Sequence, residues 1–228
     1  MTNPRITLYS FPPSQNAVRT KIALHEKGLA FEDVPLDLFA GEHKQPPFAE
    51  LSPRQQVPTL VYETDGEPIV VYESLATIRF LDDMHPEPSL MPPVSEPRAR
   101  ADALMRLEEF QAKLDPKNIF GSVVFRRLGR EALADRIDAL LAELPHWERY
   151  LAGREYLAGD RFTLADIAVF PLLMHFEVLG YDYASRAPAL HAYMDRMKAR
   201  PSVRATGWVD LFIGVVAARE PERVLAND

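Results

Sequence analysis

"MHPEPSLMPPVSEP", residues Met84 to Pro97, holds five prolines in fourteen residues. Proline has no backbone N–H and its ring obstructs the preceding turn, so neither a helix interior nor a central strand tolerates that density. The stretch reads as a linker, and the chain differs in kind on its two sides. Before it, short β-rich runs alternate with helical spacing; after it, apolar residues recur three and four apart. Strands first and helices afterwards indicate a small α/β unit joined to an all-helical one, α/β + all-α. The expected units are 1–83 and 98–228, with 84–97 as the linker.

Upstream of the linker, "RITLYS" (Arg5 to Ser10) reads as a strand and Gln15 to Lys27 as a helix, stopped by Gly28. "FEDVPLD" (Phe31 to Asp37) reads as a second strand, with Pro35 marking an edge position or the strand's end. Val57 to Glu63 and Glu67 to Glu73 are two β-rich runs separated by "TDGE", whose Asp-Gly signals a hairpin turn. A helix from Ser74 to Met84 follows. The order is βαβ, a loop that can hold a short helix, then ββα.

Downstream, helices are expected over Arg98 to Ala112, Arg130 to Leu151, Leu164 to Leu179 and Ala187 to Ala199. Pro145 should kink or break the second of them at Leu144. "DRFTLADIAVF" (Asp160 to Phe170) contains a capping box, with Thr163 as cap and Asp166 reaching back to its N–H. Phe162 and Ile167 occupy the two positions of a hydrophobic staple. That pattern assigns Asp166 to folding, not to chemistry.

The chain has 228 residues, 47% of them hydrophobic and 26% charged, as in ordinary globular proteins. With 26 Lys and Arg against 33 Asp and Glu, its net charge is -7 and no basic block stands out, which argues against nucleic-acid binding. Cysteine is absent, so disulfides, thiolate metal sites and a catalytic cysteine are all excluded; no metal is implied. The opening residues lack a signal-peptide core. "LFIGVVAA" (Leu211 to Ala218) falls short of the ~20 residues that span a bilayer. The expected setting is cytoplasmic.

Three places hold residues suited to chemistry. In "YSFPPSQNAVRTKIAL" (Tyr9 to Leu24), Ser14 precedes the first helix. As a cap its hydroxyl is worth ~1 kcal/mol. The same position, beside free N–H groups and the positive end of the helix dipole, also favours an anion. In "QQVPTL" (Gln55 to Leu60), a cis Val57–Pro58 bond would offer the Val57 backbone to a peptide-like ligand; a trans proline opening a strand is the other reading. In "VVYESLATIRFL" (Val70 to Leu81), Ser74 reads as an N-cap next to Glu73. A carboxylate site and an acid side by side suit an amino-acid head group, and ordinary capping also accounts for them.

These three in this order, with the linker and "FTLAD", resemble the cytosolic glutathione transferase family of serine type. "AGEHKQPPF" (Ala40 to Phe48) is similar to the phi class, and the Tyr9 to Leu24 stretch also to zeta-class starts. "SPRQQ" departs from the usual "NPFGQ". The resemblance implies a thioredoxin-like N-terminal domain, a helical C-terminal domain contributing the electrophile site, and a homodimer. It implies that Ser14 donates a hydrogen bond to the sulfur of glutathione, the cosubstrate, with Tyr9 and Ser10 as nearby rivals. Glu73 and Ser74 would take the γ-glutamyl head, Val57 the cysteinyl unit, and Gln56, His43 and Lys44 would face the peptide, the last two near its glycine carboxylate.

The implied reaction is conjugation to a small hydrophobic electrophile between the domains, walled by Phe11, Pro12, Phe39, Phe110 and Phe120. "DPKNIFGSVVFRRLG" (Asp115 to Gly129) would shape its entrance. The same scaffold also accommodates glutathione-dependent isomerisation, ether cleavage, dehalogenation or a non-catalytic glutathione-binding carrier.

Overall fold

A four-stranded sheet occupies the N-terminal part of the computed structural model, which describes residues 4–226. Residues 1–3 and 227–228, the outer ends of the two expected units, lie outside the described residues. Strand β1 (Arg5–Ser10) is followed by helix α1 (Gln15–Glu26), edge strand β2 (Glu32–Pro35), a 3-10 turn (Glu42–Lys44) and the short α2 (Phe48–Leu51). Strands β3 (Thr59–Glu63) and β4 (Ile69–Tyr72) form the hairpin, and α3 (Ser74–Met84) closes the unit. The strand order is β2-β1-β3-β4. The β1–β2 pair is parallel; the other two pairs are antiparallel, with Leu8 opposite Leu60 and Val61 opposite Val70. Pro35 ends the outermost strand, where its missing N–H costs no central ladder bond.

Alternation explains the core of this sheet. Ile6 and Leu8 of β1 and Leu60 and Tyr62 of β3 are buried, as are Val18 and Ile22 of α1 and Ile78 and Leu81 of α3. Thr20 and Thr77 share a 2.7 Å hydrogen bond between the two helices. Gly28, at φ +63°, turns the chain out of α1 as expected.

The proline-rich stretch after α3 is irregular but pinned. Lys27 forms an ion pair with Asp82 and donates to the carbonyls of His85 (2.7 Å) and Pro88 (2.6 Å). Asp82 also accepts from Leu90 N–H at 2.7 Å, and Leu90 C=O accepts from Leu164 N–H at 2.9 Å. The backbone groups that prolines leave without helix or sheet partners are thus satisfied by Lys27 at the end of α1, by Asp82 of α3 and by the start of the helical core.

Helix α4 (Pro97–Glu109) runs into a π-helical turn (Phe110–Leu114) and a 3-10 turn (Asp115–Lys117). Then come α5 (Phe120–Val124), α6 (Ala134–Leu151), α7 (Leu164–Val178), α8 (Tyr183–Arg186), α9 (Pro188–Ala199), α10 (Pro201–Ala205) and α11 (Trp208–Ala217). Helix α7 is buried on every side from Leu164 to Phe176 and forms the centre of this half. The capping box at its start is present: Asp166 accepts from Thr163 N–H at 2.7 Å and, with its other oxygen, from Leu157 N–H at 3.0 Å. Of the kink or break expected at Pro145, the break does not occur: α6 runs through it. Pro145 deletes one i→i−4 bond, but Leu144 and Trp147 beside it are completely buried and hold the helix together through packing.

Helix α1 joins the halves, packing on α3 and on α7. Glu26 at its end accepts a forked pair of bonds from Arg200, at 2.6 and 2.8 Å.

Candidate active site

Two helices begin at one cleft. Ser14 caps α1 with an extended backbone, its Oγ accepting from Ala17 N–H at 3.2 Å. A hydroxyl that accepts still has its own proton to donate, and no described acceptor takes the proton of Ser14. The cleft, about 690 Å³, is lined by Ser14 and Asn16 of α1 and by residues 73–76 at the start of α3. The first intrahelical bond of α3 is Thr77 N–H to Glu73 C=O, which leaves the N–H groups of Ser74, Leu75 and Ala76 without helical acceptors. Both macrodipoles therefore point their positive ends at the same space.

Ser74 is not the N-cap. Glu73 holds that position with φ +69°, an uncommon conformation for a residue with a Cβ, and Ser74 is the first residue of the helix. A hydroxyl there is one residue too far along to cap; Ser74 Oγ instead accepts from Arg19 Nη1 at 3.2 Å. Arg19 is buried beneath the cleft. It also donates to Asn16 Oδ1 (2.6 Å) and to Ala168 C=O of α7 (2.9 Å), while Nη2 makes no hydrogen bond. Its guanidinium lies 4.8 Å from the centre of the Phe110 ring. Burial lowers its pKa to about 10, against the opposing influence of Asp115, so it remains a cation at neutral pH.

Further along the cleft, Val57 precedes a cis peptide bond to Pro58, and its N–H and C=O make no hydrogen bond within the described residues. Gln56 and His43 line the cleft too. The exposed Lys44 is not among the lining residues.

An apolar cavity of about 470 Å³ adjoins the cleft, and Ser14, Leu38 and His43 line both. Phe11, Phe39 and Phe120 form part of its wall. Phe110 does not; it lines the polar cleft, because the π-helical turn carries it under Arg19. Pro12 lines neither space, and Pro13 takes the cavity side. The segment after Asp115 supplies Asn118, Gly121, Val124 and Phe125 as well as Phe120. His175 of α7 forms a three-ring cluster with Phe120 and Phe212: its ring centre lies 4.0 Å and 5.1 Å from theirs, each at 22°, and theirs lie 5.4 Å apart. Its burial, with help from Arg19, pushes its pKa down to about 3, so the ring is neutral.

Residues 4–83 match the family described as glutathione S-transferase, N-terminal domain, and residues 126–201 match its C-terminal domain. Glutathione S-transferase 3 of Zea mays is 34% identical over 215 residues, covering 88% of this chain and 92% of its own. The chain belongs to the glutathione S-transferase family. A maleylacetoacetate isomerase of Aspergillus fumigatus is 27% identical over 215 residues, covering 91% of this transferase and 92% of the isomerase. In three dimensions a glutathione S-transferase from the Antarctic clam Laternula elliptica superposes with a TM-score of 0.79 at 26% identity, covering 97% of this chain and 98% of its own.

Within this transferase the structure brings Ser14, His43, Gln56, Val57, Glu73 and Ser74 to one cleft. Of the rivals to Ser14, Ser10 is fully buried and donates to Asp33 at 2.6 Å, and Tyr9 packs on Phe48 with ring centres 5.4 Å apart. Arg19 and His175 went unread in the sequence. Arg19 lies in an amphipathic run where a cation reads as surface. The spacing of Trp208, Phe212 and Val216, four apart, does signal the buried face of α11 that completes the cavity. Among the described residues, no helix is long and apolar enough to cross a membrane, and no group of His, Asp and Glu is placed to hold a metal ion.

Proposed function

We propose that Ser14 donates a hydrogen bond to the glutathione sulfur and holds it as a thiolate for attack on a small hydrophobic electrophile in the apolar cavity. The observation that carries this reading is the position of Ser14 on both spaces, with a free proton at a helix start. The polar side fits the tripeptide's charges. Two carboxylates and one amine need cations or N–H groups and one acid, and the cleft offers the α3 start, buried Arg19, His43 and Glu73. The free Val57 backbone suits the cysteinyl unit and Gln56 completes the peptide side; Lys44, exposed and off the cleft wall, is left out of the proposal. A free thiol of pKa ~8.5 is only a few per cent ionised at neutral pH, and each unit of lowering is worth ~1.4 kcal/mol. Donation to the charged form supplies that preference without Ser14 acting as a base.

In this reading 1–83 is the glutathione-binding domain, 84–97 the linker, and 98–228 the helical domain that provides the electrophile side. A homodimer and a cytoplasmic setting belong to the same proposal. The exposed Leu104 and Met105 on α4 support the former. Similarity to the Aspergillus isomerase favours glutathione-dependent isomerisation as the second reading; product analysis on electrophiles and cis-enones separates the two.

Ser14→Ala tests the central claim. Turnover should drop and the thiol pKa of bound glutathione should rise, while glutathione affinity changes little. Unaltered turnover and an unaltered thiol pKa would dismiss Ser14 from the reaction.

A further inference from the structure

Among the described residues, histidines aside, the sole ionic side chain lining the apolar cavity is Arg219, just beyond α11. Its guanidinium lies 4.9 Å from the centre of the Phe39 ring and 5.2 Å from that of Phe125. It forms no ion pair, and its side chain donates no hydrogen bond, among the described residues. In a chain of net charge -7, with 33 acids to 26 bases, an unneutralised arginine at an apolar mouth runs against the overall balance. Two rings hold the cation by its π-faces and leave its N–H fork without an acceptor. Phe120, His175 and Phe212, mutually clustered with ring centres 4.0–5.4 Å apart, give the same cavity an aromatic wall. Because burial keeps His175 neutral, that wall adds no second charge.

We infer that the second substrate is an aromatic electrophile bearing a carboxylate, its ring against the Phe120, His175 and Phe212 cluster and its carboxylate paired with Arg219. The guanidinium fork matches a carboxylate with two parallel hydrogen bonds. An apolar cavity without that cation would favour the neutral ester of the same compound, since a carboxylate loses more hydration on entry. The chemistry rests on the transferase reading; the binding preference rests on the cavity alone. For a 4-chloro-3,5-dinitrobenzoate, the thiolate sulfur bonds to the chlorine-bearing carbon, chloride leaves with the C–Cl electron pair, and the thiol proton passes to solvent. Nothing is oxidised or reduced.

The experiment compares acid and methyl ester on the full chain. Calorimetry measures binding of 3,5-dinitrobenzoate and its methyl ester. Turnover is measured with the 4-chloro compounds, each corrected for its uncatalysed rate with glutathione. The acid should bind ~10–100-fold more tightly than the ester, the range expected for a charge-assisted hydrogen-bonded pair. Arg219→Gln should erase that preference, and Arg219→Lys should restore part of it through charge alone. An acid that binds no better than its ester, or a preference that survives Arg219→Gln, overturns the inference. A preference in binding with neither chloro compound turned over sustains the cavity's choice of a carboxylate and overturns the conjugation reading on which its role as substrate rests. Turnover of both with no preference does the reverse.

Discussion

In the proposed reaction Ser14 combines its observed capping with donation to sulfur, two tasks that a single substitution can separate. Aspartate caps a helix as well as serine does, whereas a carboxylate beside sulfur repels a thiolate. Ser14→Asp should therefore match the parent's urea midpoint, where Ser14→Ala loses ~1 kcal/mol, and yet be at least as inactive as the alanine variant. An active Ser14→Asp would mean that the sulfur lies elsewhere. His175 governs a different property. Its folded pKa, near 3, lies below the ordinary 6.5, so on acidification the unfolded chain takes up a proton that the folded chain refuses. Stability from this group is intact above pH 6.5 and falls as pH drops from there towards 3. Between pH 7.5 and 5.5 the parent should lose ~1.4 kcal/mol that His175→Gln does not lose. Denaturation midpoints for the pair at the two pH values measure this, and parallel losses would remove His175 as the cause. The capping role of Ser14 was readable from its neighbours. That of His175 was not, because the rings around it come from the segment after Asp115 and from α11.

At the scale of elements, the start of α7 shows local sequence and tertiary burial acting on one carboxylate. Burial raises the Asp166 pKa to about 6, although hydrogen bonds from Leu157 and Thr163 pull the other way. The Thr163–Asp166 spacing announced the capping box; the bond to Leu157 N–H, which ties the preceding loop to the helix, required the fold. Asp166→Ala leaves both buried N–H groups without acceptors and should cost ~2–4 kcal/mol by urea denaturation, with faster hydrogen exchange at Leu157 and Thr163. A loss below ~0.5 kcal/mol would show that water replaces the carboxylate. Helix α6 teaches the opposite lesson. Pro145 argued for a kink or a break, and burial of its neighbours kept the helix unbroken. Ser74 is a third case: strand and helix signals located the junction, but the positive φ of Glu73 moved the cap by one residue.

For the whole molecule, the union of the two halves runs through α1. Its Arg19 donates across the boundary to Ala168 C=O, and its Glu26 takes the forked pair from Arg200, with side chains 14% and 23% exposed. A double-mutant cycle of Glu26→Gln and Arg200→Gln should give a coupling of ~1–2 kcal/mol in unfolding free energy. A coupling near zero would indicate that the Glu26–Arg200 pair adds nothing to the packing of α1 on α7 and the Arg19–Ala168 bond. The same boundary forms the candidate site, since the polar cleft and the apolar cavity meet at Ser14.

Local periodicity, turn chemistry and proline density by themselves determined the α/β unit, the linker, the helical half and the helix starts where Ser14, Glu73 and Ser74 lie, because these signals act within a few residues. Only the tertiary structure decided that Arg19 sits beneath Ser74, that Phe110 belongs to the polar cleft, and that His175 and Arg219 share a cavity with Phe120. Those facts depend on which distant segments bury one another, and the free energy of burial is set by the assembled surface rather than by neighbours in the chain.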